Sequence, residues 1–259
     1  MPSQSSPVEV TIIIPVKDEV ESAPLLAAEV EAAMAAAPWA WECLWVDDGS
    51  TDGTLAVLEG LHRAAPERHQ YLSFDRNYGK AAALAAAFPV ARGAMLATLD
   101  GDLQNDPKDV PRMLAMLERG RVDLVNGARL RRHDSWVRRV SSRIANGFRN
   151  RITGVYLQDG GTGVRVFYRE CIEGVPLFQG LHRFIPTLAV LNGFKMLEVP
   201  VAHRPRRFGQ AKYGIGNRLW VGIADCFGVR WLRARHTPRA RIAHSTLSTS
   251  TEEKEKIWT

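Results

Sequence analysis

The chain has 259 residues, 46% of them hydrophobic and 24% charged, with a formal net charge of +6; this is a globular composition with length for one large or two small domains, and it excludes a disordered or fibrous chain. Its three cysteines, Cys43, Cys171 and Cys226, are widely spaced and odd in number, which excludes a disulfide framework and a thiolate metal site and suits a reducing, cytosolic compartment. Met1 to Ser6 lacks the basic-then-apolar order of a signal peptide, no run reaches the roughly 18 to 20 apolar residues of a membrane span, and there is no internal repeat.

Val10 to Val16 is rich in β-branched residues and reads as a strand ended by Pro15, which cannot donate to a ladder. Lys17-Asp18-Glu19 follows, then an alanine-rich helix from about Ser22 to Ala36. Trp41 to Val46 is a second strand; behind it come Asp47-Asp48-Gly49-Ser50-Thr51-Asp52-Gly53-Thr54 and a helix to about Ala64. Gln70 to Phe74 is a third strand, followed by Arg76-Asn77-Tyr78-Gly79-Lys80 and a second alanine-rich helix. Ala94 to Leu99 is short, apolar and followed by a turn, so it reads as a buried fourth strand leading into Asp100-Gly101-Asp102-Leu103-Gln104. Asp109 to Glu118 is helical, and Asp123 to Gly127 is a fifth strand.

Strand–helix alternation of this kind predicts an α/β fold, a mostly parallel sheet with helices on both faces. Ligands of such sheets lie beyond the carboxyl ends of the strands. Lys17 to Glu19, Asp47-Asp48, Asn77 to Lys80 and Asp100-Gly101-Asp102 all sit at such ends, so they should converge on one edge. Neither the Gly-x-Gly-x-x-Gly turn nor the Gly-x-x-x-x-Gly-Lys-Ser/Thr loop is present, which argues against redox cofactors and P-loop ATPase activity. Paired carboxylates suit instead a divalent cation carrying phosphates, since magnesium takes one or two carboxylates plus substrate oxygens.

Ile14-Pro15-Val16-Lys17-Asp18-Glu19, Val46-Asp47-Asp48-Gly49-Ser50-Thr51-Asp52-Gly53-Thr54 and Asp100-Gly101-Asp102-Leu103-Gln104 resemble the signatures of family-two glycosyltransferases with the GT-A fold. Together with the downstream pattern, the last is similar to the polyprenyl-phosphate branch, which includes dolichyl-phosphate mannose synthases and bactoprenol glucosyltransferases. The resemblance spans roughly residues 8 to 235. It implies one catalytic domain over 1–235, with a nucleotide-sugar half at 8–128, an acceptor half at 129–213 and an amphipathic helix at 214–235. By position it implies that Pro15, Val16 and Glu19 line the base and ribose pocket and that Asp48, beside Asp47, meets the base edge, where a carboxylate can accept from an imino N–H. The plain alternative for Asp47, as for Ser50, is a helix N-cap. Asp100 and Gly101 would serve the donor's ribose or sugar, with Lys80 close by. Asp102 and Gln104 would hold Mg2+ or Mn2+. The chain departs from many relatives at Lys17-Asp18, where they carry Tyr-Asn.

The arginine excess falls after Gly127. Arg129, Arg131, Arg132, Arg138, Arg139, Arg143, Arg149 and Arg151 face one acid, Asp134, with Val140, Ile144 and Phe148 at helical spacing. A solvated basic face is the ordinary reading; the resemblance places Arg129 and Arg143 near phosphates, which a planar guanidinium binds in pairs. Asp159 to Phe167 resembles the acceptor side of relatives, and the resemblance implies Arg165, with Arg129, Arg143 and Arg206, at the acceptor phosphate. Asp159 reads as the orienter of an acceptor-side arginine, as a base, or as a turn cap. His182 to Pro186 opens a helix and Gly193 to Val201 is a strand. His203 to Tyr213 resembles an Arg-x-x-Gly-x-Ser-Lys lid, with Ala211 for the usual Ser, Arg206 and Lys212 as phosphate clamps and Gly209 as hinge. Asn217 to Arg235 is a Trp-bearing basic helix that fits either a membrane interface or the core. Residues 236–259 read as a disordered tail.

The reaction so implied is inverting transfer of a sugar from a UDP- or GDP-sugar to a polyprenyl phosphate, metal-dependent, by a cytoplasmic protein lying on the inner membrane face and binding no nucleic acid. A hydroxyl acceptor would need a general base, for which Asp159 is the candidate. A nucleotidyltransferase would want a Gly-rich turn after the first strand, where Pro15 to Glu19 stands. A non-catalytic lipid- or nucleic-acid-binding protein leaves the acids unexplained, and aromatic residues do not interleave with the arginines as single-strand binding wants.

Overall fold

The computed structural model of the chain describes residues 7–129, 136–208 and 216–235, and for 136–144 and 216–219 the backbone alone. Seven strands form one sheet: β1 (Val10–Val16), β2 (Trp41–Asp47), β3 (His69–Ser73), β4 (Met95–Thr98), β5 (Leu124–Arg129), β6 (Arg165–Tyr168) and β7 (Met196–Val201). They lie in the order β3-β2-β1-β4-β6-β5-β7. All neighbours are parallel except β6, which runs antiparallel to both β4 and β5. The helices are α1 (Ser22–Met34), α2 (Thr54–Ala64), α3 (Lys80–Val90), α4 (Asp109–Arg119), α5 (Trp136–Thr153), α6 (Leu181–Leu191) and α7 (Gly216–Ala234).

The central strands are largely apolar on both faces because both are covered. Val10, Ile12, Ile14 and Val16 of β1 pack with α1 and α4, whereas Ile13, with Leu44 and Val46 of β2, packs with α3 and α6. Pro15 does not end β1 but lies within it, opposite Val46. It is tolerated because alternate residues turn their N–H to opposite sides. Pro15 shares the side of Ile13, whose carbonyl accepts from Leu99 N at 3.1 Å; β4 pairing runs only to Ile13, so the missing N–H breaks no ladder bond.

β6 sets the chemistry of the edge. Since it is antiparallel, its first residue and the segment before it, not its end, lie at the carboxyl edge of β1, β2, β4 and β5. Asp159 to Arg165 is thereby delivered beside Asp100. The sequence pattern gives no strand here: β6 is four residues long and opens on a charged one.

Candidate active site

Two loops form the first wall of the site, and they are laced to each other. Asp18 N donates to Ser50 Oγ at 2.8 Å, and Thr51 N to Asp18 Oδ1 at 2.8 Å. Glu19 N donates to Thr54 Oγ1 at 2.8 Å, Val20 N to Asp52 Oδ2 at 3.1 Å, and Lys17 Nζ to the Gly49 carbonyl. Asp18 holds a left-handed backbone at φ 47°, a turn that aspartate adopts more readily than most residues. Asp47 is not a helix cap: its Oδ1 accepts from Ser50 N at 3.0 Å and its Oδ2 from Ser73 Oγ at 3.1 Å. Thr54 N at the start of α2 is taken by Asp52 Oδ1 at 3.0 Å instead. Asp48 is buried, and its carboxylate accepts from Tyr78 N at 2.7 Å and Gly79 N at 2.9 Å. It thus fixes the turn that presents Lys80 as the first residue of α3.

The acid pair occupies the end of β4. A Cβ at Gly101 would come 2.7 Å from Val16 Cγ1 and 3.1 Å from the Pro15 carbonyl, so only glycine lets this turn lie on the end of β1. Lys80 Nζ is ion-paired to Asp100 Oδ1. Burial pushes the Asp100 carboxyl up, but Lys80, aided by Arg165 and His182, more than offsets it and leaves the group below its ordinary range. Asp102 goes the other way: burial and the Asp100 charge raise it, against Arg206. The Arg206 guanidinium sits on Asp102 Oδ2 at 2.5 Å and lies 4.0 Å from Glu19 Oε1. Leu103 is buried at φ 60°, a strained backbone for a leucine. That turn returns Gln104 N to Asp102 Oδ1 at 3.2 Å.

Two oxygen-bearing side chains, Asp102 and Gln104, are the donor set a magnesium or manganese ion takes when phosphates complete its shell. No three His, Cys, Asp or Glu gather into a closed cage among the described residues. Asp102 already carries a cationic partner, the Arg206 guanidinium, and the chemistry of this carboxylate with the Gln104 amide oxygen fits the ion.

The opposite wall is basic. Arg129, ending β5, forks onto Asp159 with Nε to Oδ2 at 2.6 Å and Nη2 to Oδ1 at 2.9 Å. Asp159 also caps its turn, accepting from Gly161 N at 3.0 Å. One carboxylate thus both holds the Arg129 fork and closes its own turn. Arg165 needs correction. Expected at an acceptor phosphate, it is 2% exposed, with Nε on Asn126 Oδ1 at 3.0 Å and Nη2 on the Gly160 carbonyl at 3.1 Å. Burial lowers its guanidinium to about 10, so it stays charged and serves as a buried counter-charge to Asp100 and Asp159. The side chains of Arg143 and Lys212, the hinge at Gly209 with Ala211, and the tail at 236–259 lie outside the described residues.

Sequence reasoning missed three contributors. Asn126 donates to the Asp159 carbonyl at 3.0 Å and to Glu198 Oε1 at 3.1 Å, tying β5, β7 and the acceptor turn together. Arg204 joins Glu29 of α1 at 2.6 Å and Asp106 at 2.7 Å, while its N–H reaches the Gln104 carbonyl at 2.8 Å. It thereby positions Arg206; within Arg204-Pro205-Arg206-Arg207 nothing in the sequence singles it out. His182, at the start of α6, is largely withdrawn from solvent and feels the charges of Lys80, Arg183, Arg165 and Asp100, which with burial lower its imidazole to about 3.

Comparison with known proteins agrees with this architecture. The family profile described as "Glycosyl transferase family 2" matches residues 11–174. A dodecaprenyl-phosphate galacturonate synthase of Rhizobium johnstonii is 40% identical over 85% of this chain and 66% of its own length. An undecaprenyl-phosphate 4-deoxy-4-formamido-L-arabinose transferase of Sodalis glossinidius is 37% identical over 87% and 69%. The chain thus spans about two thirds of the length of these relatives. Among solved structures, mannosyl-3-phosphoglycerate synthase of Rubrobacter xylanophilus superposes with a TM-score of 0.65 at 22% identity, covering 88% of this chain and 75% of that one. The mannosyltransferase PcManGT of Pyrobaculum calidifontis, in complex with GDP-Man and Mn2+, gives 0.56 at 18% identity, over 93% and 69%. The fold is of the GT-A type.

Proposed function

We propose, since the chain belongs to glycosyl transferase family 2, that it moves a sugar from a UDP- or GDP-sugar onto a polyprenyl phosphate with Mg2+ or Mn2+. The observation that carries this reading is the meeting, on one sheet edge, of the Asp100/Asp102 pair with the Arg129–Asp159 fork. Acids on one side suit a metal-bound diphosphate, and an oriented guanidinium on the other suits a phosphate acceptor. The lipid-phosphate substrates named for the 40% and 37% identical relatives support the acceptor class.

A phosphate monoester is largely ionised at neutral pH, its second pKa lying near ~6. Its oxygen attacks the anomeric carbon, the bond from that carbon to the diphosphate breaks, and the electron pair leaves with the nucleoside diphosphate. No proton has to be removed, so aim matters more than a base. Arg129, locked by Asp159, aims the acceptor, and the configuration inverts. Lys80 and Asp100 hold the ribose or sugar; Pro15, Val16 and Glu19 line the base side, with Asp48 offering the lone pairs that its two backbone amides leave. The cation that Asp102 and Gln104 would hold supplies neutralisation of the leaving diphosphate. Arg206, now on Asp102, would turn to the phosphates together with Lys212. Incubation with UDP-glucose, UDP-galacturonate and GDP-mannose, each with and without undecaprenyl phosphate and Mn2+, tests the reading. Nucleotide release with at least one donor should require both additions. Release that ignores the lipid phosphate but follows a hydroxyl acceptor would shift the reading to that class, and no release at all would end it.

The same reading puts α7 at the membrane surface. No helix among the described residues is long and apolar enough to cross a bilayer. Yet Trp220, Phe227 and Trp231 are 72%, 51% and 61% exposed, while Cys226 and Val229 on the other side are buried. Arg230, Arg233 and Arg235 flank them. Aromatic residues beside arginines are what an interfacial helix presents to anionic lipid. Replacing Trp220 and Trp231 together by serine should weaken co-flotation with phosphatidylglycerol vesicles at least roughly tenfold, since burying one large apolar side chain is worth ~1.5–3 kcal/mol. Equal flotation of both proteins would assign this face to something other than lipid.

A further inference from the structure

The strand-end loops at 17–20, 48–53, 74–79 and 100–106 hold two aromatic side chains, Phe74 and Tyr78. Phe74 is partly buried and packs on the cluster beneath α3 and α6, whereas Tyr78 is 45% exposed. A single exposed aromatic residue ordinarily needs no explanation. This one is anchored. Its backbone N–H donates to the buried Asp48 carboxylate at 2.7 Å. Two residues earlier the main chain lies directly on Gly49, where a Cβ would run into Arg76; glycine at φ 67° allows that approach. The ring is held too. Phe74 meets it edge-on with centroids 5.7 Å apart, and the Arg76 guanidinium lies over it, 4.9 Å from the centroid. Asp75 accepts from its hydroxyl.

A ring held in this way keeps open surface with little freedom left to lose on binding, which lowers the entropic cost of a contact. Ring and guanidinium are both flat, and a further flat π-system extends such a stack. Position decides which part of a nucleotide arrives there. In the order β3-β2-β1-β4, Asp48 at the end of β2 and Asp102 beyond β4 lie on opposite sides of β1. These strands are two spacings apart, about 10 Å, a separation that a nucleoside spans with its diphosphate at Asp102 and its base at Asp48. Lys17, in the neighbouring loop, does not take this part: its ammonium donates to the Gly49 carbonyl and lies 3.4 Å from Asp18 Oδ1. A phosphate is a poor ligand for Tyr78, whose one donor is given to Asp75. A nucleobase fits the exposed ring and the carboxylate beside it.

We infer that Tyr78, backed by Arg76, is the stacking surface for the donor's nucleobase, next to the edge contact at Asp48. The assignment rests on the nucleotide-sugar reading above and deepens it. It predicts a loss specific to the base. Titration calorimetry of the full chain with Mn2+ would compare UDP, GDP and inorganic pyrophosphate. Tyr78→Ala should weaken the nucleoside diphosphate that the unaltered protein binds by roughly tenfold, the scale of one lost base–aromatic stack. It should change the affinity for pyrophosphate less than about twofold. Tyr78→Phe keeps the ring without its hydroxyl and should retain most of the affinity. Tyr78→Leu keeps apolar bulk without a π-face and should resemble the alanine variant. If the alanine variant lowers the melting temperature, the phenylalanine and leucine variants with an unchanged one decide the matter. Unaltered nucleotide binding in the alanine variant, equal losses for nucleotide and pyrophosphate, or full affinity in the leucine variant would overturn the inference while leaving the donor reading intact. An unaltered protein that binds neither UDP nor GDP would overturn the donor reading, and the inference with it.

Discussion

Asp102→Ala will lower kcat/KM at least roughly a hundredfold, the scale of one lost electrostatic partner at a developing charge, with no fall in the melting temperature. The two halves of this result have different origins. On the proposed reading, activity falls because the carboxylate would be the anionic member of the Asp102/Gln104 cation position, and the leaving diphosphate would lose its neutralising partner. Stability holds because Asp102 is poorly solvated and stands near a second carboxylate, Asp100, which together raise its carboxyl. For a group raised in the folded state, the favourable contribution is present below its unfolded pKa and lost as pH rises through the folded value. At neutral pH the ionised side chain is therefore a strain on the fold, relieved in part by Arg206 at 2.5 Å. Arg206 loses this partner in the variant, but it is partly exposed and keeps Glu19 at 4.0 Å. Scanning fluorimetry alongside the release assay checks both halves. Full activity would remove Asp102 from the site, and a collapse in melting temperature would show the residue to be structural. Asp100→Ala should behave differently, because Asp100 compensates both Lys80 and the buried Arg165, and its loss should destabilise the fold.

Much of this site is legible because its chemistry lies at strand ends. Ile12 to Ile14, Trp45-Val46 and Leu96-Ala97 are apolar runs that can only be buried strands, and the acids that follow each must then share an edge. Arg129 and Asp159 are legible as types but not as a pair: thirty residues and a helix separate them, and only β6 running against its neighbours brings them into contact. Arg165 misleads for the same reason. An arginine in a basic half suggests a phosphate, whereas its place at the head of a central strand, next to Asn126, makes it a buried counter-charge. His182 gives no signal, since a lone histidine near a helix start is most often unremarkable. What distinguishes it, a buried nitrogen with no hydrogen-bond partner among the described residues, is a property of packing alone.

Asp159→Ala will destabilise the protein by about 3 kcal/mol, at the low end for breaking a buried ion pair because Arg129 keeps some exposure. In a domain of this size that lowers the melting temperature by roughly 6 to 12 °C. The side chain is 6% exposed and Arg129's is 19%, so water replaces little of what is lost, and Gly161 N loses an acceptor too. The Asp159→Ala/Arg129→Met double variant should recover part of the deficit, since no charge is then stranded. The functional consequence separates the two roles the residue could have. As the orienter of Arg129, Asp159→Asn should mainly raise KM for the lipid phosphate, because a loosened guanidinium still reaches it but no longer holds the fork. As a general base, the same change should cost kcat steeply at unchanged KM, and only with a hydroxyl acceptor. A phosphate acceptor arrives already ionised, so the proposed reading predicts the first pattern. Steady-state kinetics with undecaprenyl phosphate as the varied substrate distinguishes them, and a kcat-only loss would return Asp159 to the role of base and the acceptor to the alcohols.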